Sequence, residues 1–450
     1  MRFIHTADWH LGRLIHTVHL TEDQQHVLDQ FVDLVADVRP TAVIIAGDVY
    51  DRGVPPTEAV ELLNDVLGRI VRGLGVPVVM IAGNHDSPSR LGFGSELLAA
   101  EGLHIAGPLP AGGALTVPFA DDDGPLFVQA VPYADPVDVR AAFAEPAIQT
   151  HEQAMRALAE RARGLTPAGA RSLFVGHAFV AGAGTSDSER PLTVGGAGTV
   201  PAAVFEGFDY VALGHLHLPQ RAGAEAIRYA GSLLTYSFKE VAQHKSVSIV
   251  EIGAPGSGLL QAALVGAAAT ETSKVAVGAG GGVMAGDAGD VVAGDVAAGD
   301  VAAGASATDP AAAPFAVSST PTAARVTIEE VELQPRRRVR VIEGTLRELL
   351  DAAPADEGRA DYLCARLTDK GALLNAMAQL QQAYPNCLHL ERPSLELAGR
   401  PTRLADLATR SESQHFAAFF EFVTDERLSA GERAAFDAVI DRLERRRRET

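Results

Sequence analysis

Phe3-Ile4-His5-Thr6-Ala7-Asp8-Trp9-His10-Leu11-Gly12 sets a short, mostly apolar run against a turn that carries a carboxylate and an imidazole two positions apart. The same design recurs four times downstream. Ala42–Ala46 stops at Gly47-Asp48, Val76–Ala82 at Gly83-Asn84-His85-Asp86, Ser172–Val175 at Gly176-His177, and Tyr210–Leu213 at Gly214-His215-Leu216-His217. Short apolar runs bounded by glycine-containing turns read as buried strands. Between the early ones, Glu22–Val38 and Thr57–Arg72 carry apolar residues at helical spacing, with Thr21 and Thr57 expected as caps. Alternating strands and helices predict an α/β domain over residues 1–265. In open α/β sheets the ends of the strands are where ligands bind.

Past that domain the composition turns abruptly to Ala, Gly, Asp and Val, with the near-repeats Gly289-Asp290-Val291, Gly294-Asp295-Val296 and Gly299-Asp300-Val301. Residues 266–324 hold too little large apolar surface to offset ordering entropy and read as a flexible linker. Arg325–Leu333 alternates like a half-buried strand, so 325–337 is expected to return to the first domain and pair with Ser246–Ile252. A long insertion of this kind is cheap, because closure cost grows only with the logarithm of loop length. A small α+β unit follows over 338–405, with strands at Arg338–Ile342, Tyr362–Leu367 and Cys387–Glu391 around a helix Gly371–Ala383. Residues 411–450 read as two helices, Gln414–Val423 and Ala430–Arg448, broken near Leu428-Ser429.

One Asp or His after a strand is ordinarily a cap or a turn residue. Here histidines, aspartates and an asparagine all gather at strand ends. Asp, His and Asn together offer hard oxygen and borderline imidazole donors, a mixture that suits Mn²⁺, Fe²⁺ or Zn²⁺ better than Ca²⁺. A set of about seven ligands with one shared suits two metals, the arrangement that clamps attacking and leaving oxygens in phosphoester hydrolysis.

The ordered motifs D-x-H, G-D-x-x-D, G-N-H-D, G-H and G-H-x-H resemble those of the calcineurin-like metallophosphoesterases. The start His5–Gly12, the segments Arg228–Ser232 and Lys245–Val247, and Val341-Ile342-Glu343-Gly344 are similar to the SbcD branch, the nuclease subunits of bacterial SbcCD complexes. The resemblance implies a two-sheet αββα sandwich with a small α+β capping domain over 338–405 and C-terminal helices. It implies that Asp8, His10 and His217 hold one divalent metal, that Asn84, His177 and His215 complete the second, and that Asp48 bridges both, with Mn²⁺ as the metal. His85 would be the acid that protonates the leaving oxygen, with Asp86 the nearest carboxylate to orient it. The activity implied is exonuclease on double-stranded DNA ends and endonuclease on single strands or hairpins, in DNA repair and recombination. The partners implied are DNA and an SbcC-like coiled-coil ATPase, docked on the helices of 411–450, with a homodimer inside a heterotetramer.

Arg13, Arg52 and Arg90 lie near these motifs and are candidates for phosphate contacts, with solvated surface arginine as the alternative. Trp9, the only tryptophan, is expected to pack beneath the metal turn, stacking on an unpaired base being the other reading. Two cysteines cannot staple 450 residues, the start lacks an apolar signal core, and no run approaches a membrane span, so a cytoplasmic chain is expected. A formal charge of −19 argues against a protein that holds nucleic acid by bulk positive charge. Residues 267–324 account for only −5 of it, so the rest of the chain is acidic too. Any polyanion must therefore be gripped locally. Two rivals fit parts of the sequence: a small-molecule phosphoesterase of the same superfamily, and a non-catalytic scaffold for the ATPase.

Overall fold

The computed structural model describes residues 1–185, 189, 198–255, 324–393, 414, 416–418, 420, 421 and 426–449. The expected linker up to residue 323, and residues 415, 419, 422 and 423 of the expected helix 414–423, lie outside the described residues. Strands β1 (Arg2–Thr6), β2 (Ala42–Ile45), β3 (Val78–Ile81) and β4 (Leu103–Ala106) run parallel and side by side. A second six-stranded sheet takes β5 (Leu115–Asp121), β6 (Gly124–Ala130), β7 (Arg171–His177), β8 (Tyr210–Gly214), β9 (Gln220–Ala222) and β10 (Ala224–Tyr229), in the order β9-β10-β8-β7-β6-β5. The chain then returns to the first sheet. There β11 (Ser246–Pro255) pairs antiparallel with β1, Arg2 opposite Glu251, and β12 (Ala324–Glu332) lies outside β11.

Apolar side chains fill three layers. Phe3, Ile44, Val79, Ile81, Leu126, Val128, Leu173 and Val175 form the core between the two sheets. On the outer face of the first sheet, Ile4, Val43, Ile45 and Met80 meet Val27 and Phe31 of α1 (Thr21–Val38) and Leu63 and Val66 of α2 (Thr57–Leu67). On the outer face of the second, Phe174, Val211 and Leu213 meet Val139 and Phe143 of α3 (Pro136–Phe143) and Met155 and Leu158 of α4 (His151–Gly164). Strands buried on both faces need continuous apolar runs, which is what β2 (AVII) and β3 (VVMI) supply. The result is the αββα sandwich.

Beyond it, β13 (Val339–Gly344), β14 (Tyr362–Leu367) and β15 (Cys387–Glu391) make a parallel three-stranded sheet, with α5 (Leu346–Ala352) and α6 (Ala376–Ala383) packed on one face through Leu346, Leu349 and Leu380. Thr345 and Glu348 form a reciprocal capping box that starts α5. The last described helix is α7 (Ala430–Glu449), begun by hydrogen bonds between Ser429 and Glu432.

Three local expectations fail. Thr21 and Thr57 are not caps: Leu20 and Pro56 take those positions, and neither helix has a side-chain cap. Leu20 is buried and its carbonyl accepts from Gln24 N at 2.8 Å, while Pro56 is already extended, so each helix starts one residue early. The helix expected from Gly371 begins only at Ala376, because Gly371 (φ 92°) and Asn375 (φ 51°) are left-handed and interrupt it. Cys364 and Cys387 are free thiols on neighbouring strands. Cys387 pairs with Leu363 and Cys364 with His389, across a register shift between Leu363 and Cys364.

Candidate metal centre

Each of β1, β2, β3, β7 and β8 ends at the same edge of the sandwich, and pairing of β7 with β8 sets Gly214 opposite His177. The turns at that edge are strained. Asp8 (φ 53°), His10 (φ 44°), Asp48 (φ 48°) and His215 (φ 106°) all adopt a left-handed backbone, which costs a non-glycine residue roughly 1–3 kcal/mol. Backbone hydrogen bonds hold them there: Asp8 N to Gly47 O (3.0 Å), His10 N to Asp48 O (2.9 Å) and Leu11 N to Val49 O (2.9 Å) weld the first turn to the second. Two glycines permit the approach. A Cβ on Gly83 would overlap Asp48 Oδ1, and one on Gly214 would overlap the carbonyl oxygen of Ala46.

The expected ligands converge as two clusters, Asp8/His10/His217 and Asp48/His177/His215, all six buried, and a third group, His10/Asp51/His85, shares His10 with the first. In the first, His10 Nε2 and His217 Nε2 stand 3.0 Å apart. In the second, Asn84 Oδ1 is 2.9 Å from His177 Nε2 and 3.1 Å from His215 Nδ1, and Asp48 Oδ2 is 3.4 Å from His177 Nε2. That same Asp48 oxygen is 3.8 Å from His10 Nε2, so it lies between the clusters. Asp8 also accepts the His215 backbone N–H at 2.9 Å and ties the two together.

The donor chemistry fits a cation at each cluster. His217 Nδ1 sits 3.1 Å from the buried Glu240 carboxylate and donates to it, leaving the Nε2 lone pair aimed at His10. His177 Nδ1 donates to Ala46 O at 2.9 Å, so its Nε2 lone pair faces the Asn84 and Asp48 oxygens. Acceptors aimed at acceptors repel unless a positive charge sits among them. His10 Nδ1 and Asn84 Nδ2 are buried without a hydrogen-bond partner among the described residues. The titration pattern agrees. Burial raises the Asp8 carboxyl to about 7 and lowers His215 to about 3. Burial works against charge on His177 as well, yet Asp48 beside it holds that imidazole up at about 9, where a proton takes the place a metal would fill. This fold and these clusters define a metal-dependent phosphoester hydrolase that uses divalent ions.

His85 stands at the rim, 8% exposed, its ring 4.7 Å from that of His10 and its Nε2 4.0 Å from Asp48 Oδ2. Asp86 does not orient it. The Asp86 carboxylate accepts the backbone N–H groups of Val49 (3.1 Å), Tyr50 (2.9 Å) and Gly83 (2.9 Å), stitching the Asp48 turn to the Asn84 turn, and His85 Nδ1 instead donates to the carbonyl of Asp51 at 2.8 Å. Neighbours in a tight turn diverge, which is why adjacency misleads here. Arg13 pairs with Asp51 (2.8 Å) and lies over the Tyr236 ring at 5.5 Å, whereas Arg52 and Arg90 are exposed. Trp9 is fully buried, its indole N–H on Thr6 Oγ1 at 2.9 Å and its ring edge-on to Phe31, so it packs beneath the turn and is closed to a base.

Residues with no outward signal in the sequence complete the support. Glu240 holds His217 and receives Tyr236 N (3.0 Å) and Lys245 Nζ (2.9 Å). Gln24, in the first turn of α1, donates to the carbonyls of Trp9 (3.1 Å) and His10 (2.8 Å) and accepts from Gly12 N (3.1 Å). Lys245 falls in a quoted motif segment, but its tie to Glu240 exists only in three dimensions.

Residues 1–219 match the calcineurin-like phosphoesterase family, and residues 335–424 match the family described as the Type 5 capsule protein repressor C-terminal domain, the SbcD C-terminal domain. A calcineurin-like phosphoesterase domain followed by an SbcD C-terminal domain is the arrangement of an SbcD-type subunit. Among solved structures it is similar to TT1561 of Thermus thermophilus (14% identity, 55% of this chain and 92% of that one, TM-score 0.33). It is also similar to a dimetal phosphatase from Danio rerio (13%, 55% and 94%, TM-score 0.34) and to the calcineurin-like phosphoesterase YfkN from Bacillus subtilis (11%, 56% and 84%, TM-score 0.30). Among the described residues no helix is long and apolar enough to cross a membrane.

Proposed function

We propose that this chain is the nuclease subunit of an SbcCD-like complex, hydrolysing DNA phosphodiester bonds with two divalent metals, Mn²⁺ first among them. The observation that carries the reading is the pair of clusters sharing Asp48 on a chain that continues into an SbcD-type C-terminal domain. Asp8, His10 and His217 would hold one ion, and Asn84, His177 and His215 the other, with Asp48 between. When bound, the ions supply Lewis acidity toward the phosphoryl oxygens. The remaining work belongs to the protein. His85, its Nδ1–H committed to Asp51 O, presents Nε2 to the rim and delivers a proton from that atom to the leaving oxygen. Arg13, anchored by Asp51, is the arginine best set to meet a phosphate near the first cluster.

The three-stranded C-terminal unit would act as the capping domain that shapes access of DNA. The terminal helices would dock an SbcC-like coiled-coil ATPase; Phe416 stacks on Phe436 at 3.9 Å, and Val439 is 48% exposed on the same helix as Phe436. A homodimer would use the face around α2, where exposed Val60, Phe93 and Leu98 border an apolar groove of about 770 Å³. Repair and recombination of broken DNA are the processes such an enzyme would serve.

The test is to incubate the purified chain and Mn²⁺, with and without an SbcC-like ATPase, on end-labelled hairpin DNA, duplex ends and p-nitrophenyl phosphate. Cleavage of the DNA substrates supports the nuclease reading. Turnover of the small ester alone would replace it with the small-molecule phosphoesterase, and no turnover of either would leave the scaffold.

A further inference from the structure

The two clusters are braced from different places. His177 is aimed by the Ala46 carbonyl, inside the sandwich. His10 and His217 are aimed by segments that the C-terminal unit touches. The turn presenting His10 is clamped by Gln24, and the neighbouring Asp23, 2% exposed, accepts hydrogen bonds from Tyr362 Oη of β14 (2.7 Å) and from Arg337 Nη1 (3.1 Å). His217 is aimed by Glu240, in the short helical turn Phe238–Glu240. Phe238 packs against His389 of β15, with ring centroids 6.5 Å apart and planes at 19°. His389 in turn stacks on His16, three residues past Arg13, at 5.0 Å and 19°. Two strands of the C-terminal unit thus press on the two segments that orient the two histidines of the first cluster.

We infer that the position of the C-terminal unit sets the metal affinity of the Asp8/His10/His217 site and leaves the Asp48/His177/His215 site alone, with Asp23, Tyr362 and His389 as positioning residues. A movement of the unit would relax the grip on His10 through Asp23-Gln24 and on His217 through Phe238–Glu240. Any partner that shifts the unit would then switch one metal of the pair without dismantling the other. The inference rests on the two-metal reading and concerns how its sites are regulated.

The experiment is Mn²⁺ titration of the full chain by calorimetry, with electron paramagnetic resonance to count bound ions. Wild type is expected to take up two ions. Tyr362→Phe combined with His389→Ala is expected to weaken one of them about tenfold, the lower end of what loss of a supporting contact costs a metal site, and to leave the other unchanged. Arg347→Ala, an exposed change on α5 of the same unit, should alter neither. His389→Phe keeps a ring in the stack and should retain both affinities, which separates lost positioning from a damaged fold. In an Asp8→Asn background the double substitution should have no further effect. Equal weakening of both sites, or two unchanged sites in the double variant, overturns the coupling. Uptake of fewer than two ions by wild type overturns the two-metal reading, and the inference with it.

Discussion

Glu240→Gln separates what the protein does for its own stability from what it does for the metal. Glu240 is fully buried, one carboxylate oxygen on His217 Nδ1 at 3.1 Å and the other receiving Tyr236 N and Lys245 Nζ, the last at 2.9 Å. Glutamine keeps the shape and removes the charge, stranding Lys245, whose side chain is 8% exposed. Breaking one half of a buried ion pair costs about 3–5 kcal/mol, so the metal-free variant should lose stability of that order in urea unfolding. Burial already lowers the Lys245 pKa, and without Glu240 to support the ammonium it falls further. The folded state then binds fewer protons than the unfolded one, so stability rises with pH and the deficit shrinks as pH climbs toward the free lysine value of about 10.4. Metal affinity should fall by about 10–100-fold, or roughly 1.4–2.7 kcal/mol, because His217 is no longer held in one tautomer. Adding Lys245→Met removes the stranded charge, so the double variant should regain most of the stability and none of the affinity. Recovery of both together, or wild-type Mn²⁺ affinity in Glu240→Gln alone, would refute the assignment of Glu240 as the residue that aims His217.

Other expectations follow from the same geometry. His85→Ala should keep both metals by calorimetry and lose turnover by about 10²–10⁴-fold, the usual worth of a positioned acid, while Asp48→Asn should lose metal and turnover together; a metal-poor His85→Ala protein would sink this division of roles. Gly214→Ala drives a methyl into the Ala46 carbonyl that orients His177, so it should weaken metal binding at the second cluster, read as one lost ion in a Mn²⁺ titration. His5 is buried between Tyr210 Oη (3.0 Å) and Leu213 O (3.2 Å), and burial pushes its pKa down to about 3. The unfolded chain therefore takes up that proton first, and His5 should cost stability by up to about 1.4 kcal/mol per pH unit as pH falls below about 6.5. His5→Gln should flatten the loss between pH 6 and pH 4, and parallel pH profiles for the two proteins would show that His5 is not its source.

The strand ends were readable because an apolar run buried on both faces has few alternatives, and a glycine-bounded polar turn after it marks the functional edge of the sheet. Asp8, His10, Asp48, Asn84, His177, His215 and His217 all stand on such turns, and the sandwich draws them together. What the sequence hid is the layer behind them. Asp51 O and Ala46 O are backbone carbonyls, which every residue has, so no side-chain pattern could single them out. Gln24 reads as one polar position on an amphipathic helix, yet it is 2% exposed and spans three backbone groups of the His10 turn. Asp86 failed in the opposite sense, since its place beside His85 suggested a partner while its oxygens fold back onto three backbone N–H groups.

The strain at this edge and the acidity of the chain bear on one question that the proposed nuclease role raises, which is how a chain of net charge −19 would meet a polyanion. Four left-handed residues and a fully buried Asp8 are all unfavourable, and none would persist without the surrounding sandwich to over-determine them. Their common effect is to aim oxygen and nitrogen lone pairs at two points. A divalent ion held there would place charge where a phosphate would sit, and a local charge of that kind is not reported by the net value. The folding free energy stored in the two sheets is thus converted into a grip a few ångströms wide. If the proposed role holds, affinity for the rest of a long duplex would have to come from surfaces other than an acidic sandwich, and an ATPase partner would supply such a surface.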